Sequence, residues 1–202
     1  MIKPARKLAM ALAIASLSAC TLLPKSDPPR VVDLTSDAAF PAPEPQRGDT
    51  VRVETPLASS PLSGTLVLIK PESYEYQAIP GVRWRDSLPT VVEDFLVQRF
   101  RASRGFANVI SATSPATATI SLVSELDSFH AQRIGPAPTV VVAMHSELMD
   151  NRTRETLCVT DQTIEIPASS TAVQSLMPAF SEGAERLARH TLEWAHACLA
   201  ER

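Results

Sequence analysis

Apolar and polar positions alternate one by one along several stretches of this chain, and recur every three or four residues along two others. Residues 50–54 (TVRVE) alternate, which places every second side chain on one face of a strand. Residues 64–70 (GTLVLIK) are an apolar run of strand length, and residues 73–77 (SYEYQ) alternate tyrosine with polar residues. Only the segment PES, whose serine opens the second, separates these two, so they read as a hairpin. Residues 106–111 (FANVIS) read as a short strand. Three longer stretches follow, 117–132, 138–150 and 154–166, the last two joined by the turn DNRT. Connections this short predict an antiparallel meander. On the first of the three, Ile120, Leu122 and Leu126 mark the buried face, and Ser121, Ser124 and Asp127 are assigned to the other.

The helical period appears first over 87–103. Ser87 is a candidate N-cap, Pro89 sits in the first turn, and Glu93 and Asp94 follow. Leu88, Val91, Val92, Phe95, Leu96 and Phe100 share one face, and Gly105 is placed to terminate the helix as its C′ residue. The second helical stretch runs from Val173 to Leu199, with Leu176, Phe180, Leu187, Leu192, Ala195 and Cys198 on its apolar face. Pro178 interrupts it. An interior proline costs about 3 kcal/mol, which predicts a kink or a fresh helix start there. The order strands, helix, strands, helix predicts an α+β two-layer domain: a mostly antiparallel sheet with both amphipathic helices on one face. The opposite sheet face is then either solvated or covered by a partner.

The N-terminus has a different character. MIKPARK carries Lys3, Arg6 and Lys7 and no acid, and residues 8–19 (LAMALAIASLSA) are uncharged and apolar. Twelve residues span about 18 Å as a helix, short of a hydrocarbon core of about 30 Å. The pattern is that of a secretory signal peptide over residues 1–19. It ends Leu17-Ser18-Ala19-Cys20, which resembles the bacterial lipobox. In that kind of signal the cysteine thiol is acylated, the chain is cut before Cys20, and the new amino terminus is acylated too. More than one acyl chain is what stable membrane anchoring requires. Thr21 stands where an aspartate would resemble an inner-membrane retention signal, so the resemblance points to the periplasmic face of the outer membrane. Residues 20–48 then read as a lipidated cysteine and a proline-rich tether, with prolines 24, 28, 29, 41, 43 and 45 favouring extended polyproline conformation. Within it, RVVDLT (30–35) is an apolar interruption with the character of an edge strand. The globular domain is assigned to 49–202.

Charge narrows the function. The 202 residues carry 19 basic and 22 acidic side chains, a net charge of −3. Losing residues 1–19 leaves 16 basic against 22 acidic residues, a net −6. An acidic chain gives no reason to expect nucleic acid, nor attraction to an anionic leaflet as the anchoring force. With 6 glycines and no phosphate-cradling motif, no nucleotide cofactor is expected. No serine lies in a G-x-S-x-G elbow, so no catalytic residue is assigned and the chain reads as non-enzymatic. His145 and Glu147 alternate on one strand face, but three or more ligands are needed for a metal, and no metal site is assigned.

Two features leave alternatives open. Cys158 falls on the strand face of Ile164 and Ile166, and Cys198 on the apolar helix face, so both can point into one core. They are either a disulfide, as an oxidising compartment permits, or two buried thiols. The stretch YEYQAIPGVRWRDSLP holds both tyrosines and one of two tryptophans. Tyr74, Tyr76, Arg83, Trp84 and Arg85 are candidates for partner docking, since Tyr, Trp and Arg are enriched at interface hot spots. The competing reading makes Trp84 a wedge between hairpin and helix.

The lipobox, the proline-rich tether, GTLVLIKPESYEYQ, RWRDSLPTVVEDFL, RGFANVI, ISLVSELDSFH, SELMDNRTRETL and the amphipathic C-terminal helix occur in an order that resembles the ABC-type transport auxiliary lipoproteins, the PqiC-like intermembrane transport lipoproteins. The resemblance spans about residues 17–200 and rests on order rather than on one signature. It implies an outer-membrane lipoprotein that accompanies an ABC permease, an ATPase and a periplasmic protein of the mammalian-cell-entry (MCE) type. It also implies a role in moving phospholipids or other hydrophobic molecules between membranes, with a homo-oligomer as one arrangement. The alternative is a structural or assembly lipoprotein that supports an outer-membrane protein complex.

Overall fold

The computed structural model describes residues 27–40, 43–133 and 137–200. Its strands are β1 (Arg30–Val32), β2 (Arg47–Val53), β3 (Leu66–Lys70), β4 (Gln77–Trp84), β5 (Phe106–Ser111), β6 (Ile120–Gln132), β7 (Thr139–Asp150) and β8 (Thr156–Pro167). Its helices are α1 (Leu88–Ser103) and α2 (Val173–Ala200).

The long strand β6 organises the rest. One of its edges is lined throughout by β7, and β8 lies beyond. Its other edge is shared: β2 pairs with Ile120–Leu122, Leu57 bridges to Glu125, and β3 pairs with Ala131 and Gln132. The sheet therefore forks at β6. One branch continues through β2 to β5, the other through β3 and β4 to β1. The fold is α+β as expected, but the sheet is mixed rather than mostly antiparallel. The pairings β1–β4, β2–β5, β2–β6 and β3–β6 are all parallel. Hairpins join sequence neighbours and are antiparallel by necessity, whereas parallel partners are joined by long connections that leave no local pattern.

Four local expectations are corrected. The second hairpin strand is β4, not 73–77: residues 71–76 form the connection, and pairing runs from Ile69↔Gln77 to Leu66↔Arg83. Ser124 lies on the buried face, in register with Ser146. An irregularity between Leu126 and Ser128 then adds one residue, so the buried face continues at Phe129 and Ala131. The left-handed residue that ends α1 is Arg104 (φ 56°), not Gly105. Gly105 is needed for space, since a Cβ there would stand 3.0 Å from the Pro43 ring. Finally, no fresh helix starts at Pro178: α2 is assigned continuously from Val173 to Ala200. The proline sits in the second turn on an exposed face, so the carbonyl it leaves without an amide partner, that of exposed Gln174, can be hydrated.

The core lies between the sheet and the helices. Helix α2 covers β7 and β8, and Gly183 lets it approach so closely that a Cβ would meet Val142 at 3.0 Å. Helix α1 covers β5 and β2 and packs against α2. Glu93, buried in α1, accepts hydrogen bonds from the Thr55 hydroxyl (2.5 Å) and the Ala112 amide (3.0 Å), fixing two connections to the helix. At the far end, Arg47 donates to the Leu199 carbonyl (2.6 Å), a cation at a helix C-terminus.

Residues 30–40, assigned from sequence to the tether, pack against this body. β1 joins the edge of β4, and Leu34 and Phe40 are buried. Arg99 donates to the Ala38 carbonyl (2.6 Å), and the guanidinium groups of Arg99 and Arg189 lie 4.7 and 5.3 Å from the Phe40 ring. Arg99 in turn pairs with buried Glu185 (2.8 Å). A strap thus crosses the two helices before the chain enters β2.

Candidate docking and anchoring surface

Cys20 lies outside the described residues. The five residues singled out near the first helix separate according to strand alternation. In β4, Val82 and Trp84 face the core and Arg83 faces out. Trp84 is 0% exposed and meets Phe129 and Phe180 edge-on, at centroid distances of 5.7 and 5.5 Å. It offers no surface to a partner and is corrected to a core residue. Alternation also turns both neighbouring arginines away from the indole; the cation–π contacts among the described residues are to Tyr76 and Phe40 instead. Arg85 bridges Asp33 (2.7 Å) and Asp94 (2.5 Å), tying the end of β1 to α1. Arg83 stands exposed in a row with Val31 of β1 and Leu66 of β3, its register partners, and both of those are exposed as well.

The two tyrosines diverge. Tyr76 folds back against His130 (5.4 Å, edge-on), with the Lys70 ammonium 4.7 Å from its ring. Burial raises the Tyr76 pKa. Burial, assisted by Lys70, lowers that of His130 to about 4, so this imidazole is neutral at pH 7. Tyr74, at the turn between β3 and β4, is 85% exposed.

Cys158 and Cys198 are joined in a disulfide, with Cα atoms 6.3 Å apart, which clips β8 to the last turns of α2. On the open face of the sheet, His145 meets Asp161 at Nδ1 (2.7 Å) and Glu147 at Nε2 (3.5 Å). The Asp161 hydrogen bond raises the His145 pKa, opposed by desolvation and supported by the Asp161 charge and by Glu147. The sequence showed His145 and Glu147; Asp161 became visible only with the β7–β8 register that sets it opposite His145. Both ring nitrogens face carboxylates. No group of three or more potential ligands fit to hold a metal occurs among the described residues.

Grooves on the surface of the described residues include two of similar size. One, of about 490 Å³, is lined by Arg52, Glu54, Ser121, Asn151 and Arg154. Arg52 donates to the carbonyls of Ser111, Ala112, Ser114 and Ala116, and Ser121 bonds Glu54 and Asn151. The other, of about 470 Å³, runs between the strap and α2 beside Asp37, Met177 and Glu182. Arg83 with Val31 and Leu66 on one branch of the sheet, and Tyr74 at a turn, are thus the exposed members of this region.

The family model described as ABC-type transport auxiliary lipoprotein component matches residues 33–191. A crystal structure of a protein from Xanthomonas campestris is similar over 85% of this chain and 97% of its own, with a TM-score of 0.78 and 19% identity. A second crystal structure, of an uncharacterized protein, is similar over 84% of this chain and 99% of its own, with a TM-score of 0.66 and 14% identity. At these identities the likeness is one of fold. No curated protein matches the chain.

Proposed function

Because the chain belongs to the ABC-type transport auxiliary lipoprotein family, which matches it from the strap to the last third of α2, we propose that it is a non-enzymatic envelope component of a transporter that moves phospholipids between two membranes. In this reading Cys20 carries the lipid, the outer membrane holds the anchor, and the folded body docks a periplasmic MCE-type protein served by an ABC permease and ATPase. The observation that carries the reading is the family match over a fold whose polar clusters are spent on structure. Arg52, Glu93, Arg99 and His145 each bind groups of the chain itself, and a docking module needs a surface rather than a reacting group.

The test is purification of the lipidated protein from detergent-solubilised envelopes. An MCE-type protein should co-purify, and Cys20→Ala should move the chain from the outer-membrane fraction to the soluble one. Recovery with an outer-membrane assembly complex, and with no transporter component, would overturn the transport reading in favour of the assembly alternative.

A further inference from the structure

We propose that the turn between β3 and β4, with Tyr74 at its tip, rests against the lipid leaflet that holds the anchor. The proposal rests on the lipidation of Cys20 and extends it from attachment to orientation.

The direction of β1 carries the argument. β1 pairs parallel to β4, Arg30 opposite Val82 and Val32 opposite Trp84. β4 runs from Gln77, at the turn, towards Trp84. The chain that enters β1 therefore arrives from the side of the β3–β4 turn. The five residues from Val82 back to Gln77 cover about 17 Å of strand. The ten residues from Cys20 to Arg30 reach at most about 35 Å when fully extended. A body of about 160 residues is roughly 40 Å across. The tether is thus no longer than the body it holds, and it leaves from one particular end. The end towards the lipid is the one bearing the turn.

The chemistry of that turn suits a headgroup region. Tyr74 is 85% exposed, and an aromatic ring with a polar tip is favoured where an apolar and a wet phase meet. The acids Glu72 and Glu75 lie in the same turn, so the contact is carried by the ring rather than by charge and should survive added salt. One ring orients the body; the acyl chains hold it.

The test uses the acylated full-length protein in phosphatidylethanolamine–phosphatidylglycerol vesicles. Tyr74→Cys and, as a control, Val159→Cys are each labelled with an environment-sensitive fluorophore. Val159 is also exposed (57%) but lies on β8, at the opposite edge of the sheet. With the native pair Cys158–Cys198 bonded and Cys20 acylated, each variant offers one reactive thiol. The label at 74 should shift to shorter wavelength on reconstitution and be quenched by brominated lipid, at low and high salt alike, while the label at 159 should not. If the protein floats with the vesicles but the label at 74 stays in water, or changes only when a partner protein is added, the orientation is wrong and the anchor stands. If the acylated protein does not float, the anchor reading fails and takes this one with it.

Discussion

Three aromatic rings close together in sequence have three different fates, and each follows from its immediate neighbours. Trp84 is buried because β4 alternates and its side of the strand faces Phe129 and Phe180. Trp84→Ala should therefore cost about 3–5 kcal/mol, read as a lower urea midpoint at unchanged m-value. Tyr76 packs over His130, whose ring the fold keeps neutral. The histidine pKa is lowered from 6.5 to about 4 by burial and then by Lys70. The unfolded chain thus takes up a proton before the folded one does. The stability tied to this group is complete above pH 6.5 and is lost as pH falls towards 4, on the order of 3 kcal/mol as an upper figure. His130→Phe should flatten the decline in urea midpoint between pH 6.5 and 4. Tyr74, two residues before Tyr76, is left standing in water by the turn.

At the scale of elements, the hairpins and helices follow from local pattern, and the exceptions share a cause. The extra residue after Leu126 reverses the alternation of β6, and no periodicity announces it. The continuous α2 tolerates Pro178 because the proline falls near an exposed helix start. The strap was legible as a short apolar interruption, RVVDLT, with the character of the edge strand that β1 proves to be; that Leu34 and Phe40 are core residues depends on the packing of α1 and α2 beneath them. Phe40→Ala should lower stability by up to about 3 kcal/mol. It should also speed proteolytic cleavage within residues 27–40 more than cleavage in the sheet, as followed by mass spectrometry of the fragments.

At the scale of the molecule, the disulfide acts on the whole chain by limiting its unfolded states. Its partners are 40 residues apart in sequence, and closing a loop of that length is worth about 4 kcal/mol in the chain-entropy account. The Cys158→Ser, Cys198→Ser variant, and reduced wild type, should show that loss in urea unfolding, with no change in which partners co-purify. The sequence by itself determined the α+β class, the meander, both helices and most of the helix residues that face the core. Those are consequences of period, composition and short connections, which act over a few residues. Only the tertiary structure decided that the sheet forks at β6 and is mixed, that Trp84 is enclosed while Tyr74 is not, that Asp161 meets His145, and that the strap is part of the body. Each depends on which distant segments become neighbours. Parallel pairings and contacts between branches join residues tens of positions apart, and no local pattern encodes them.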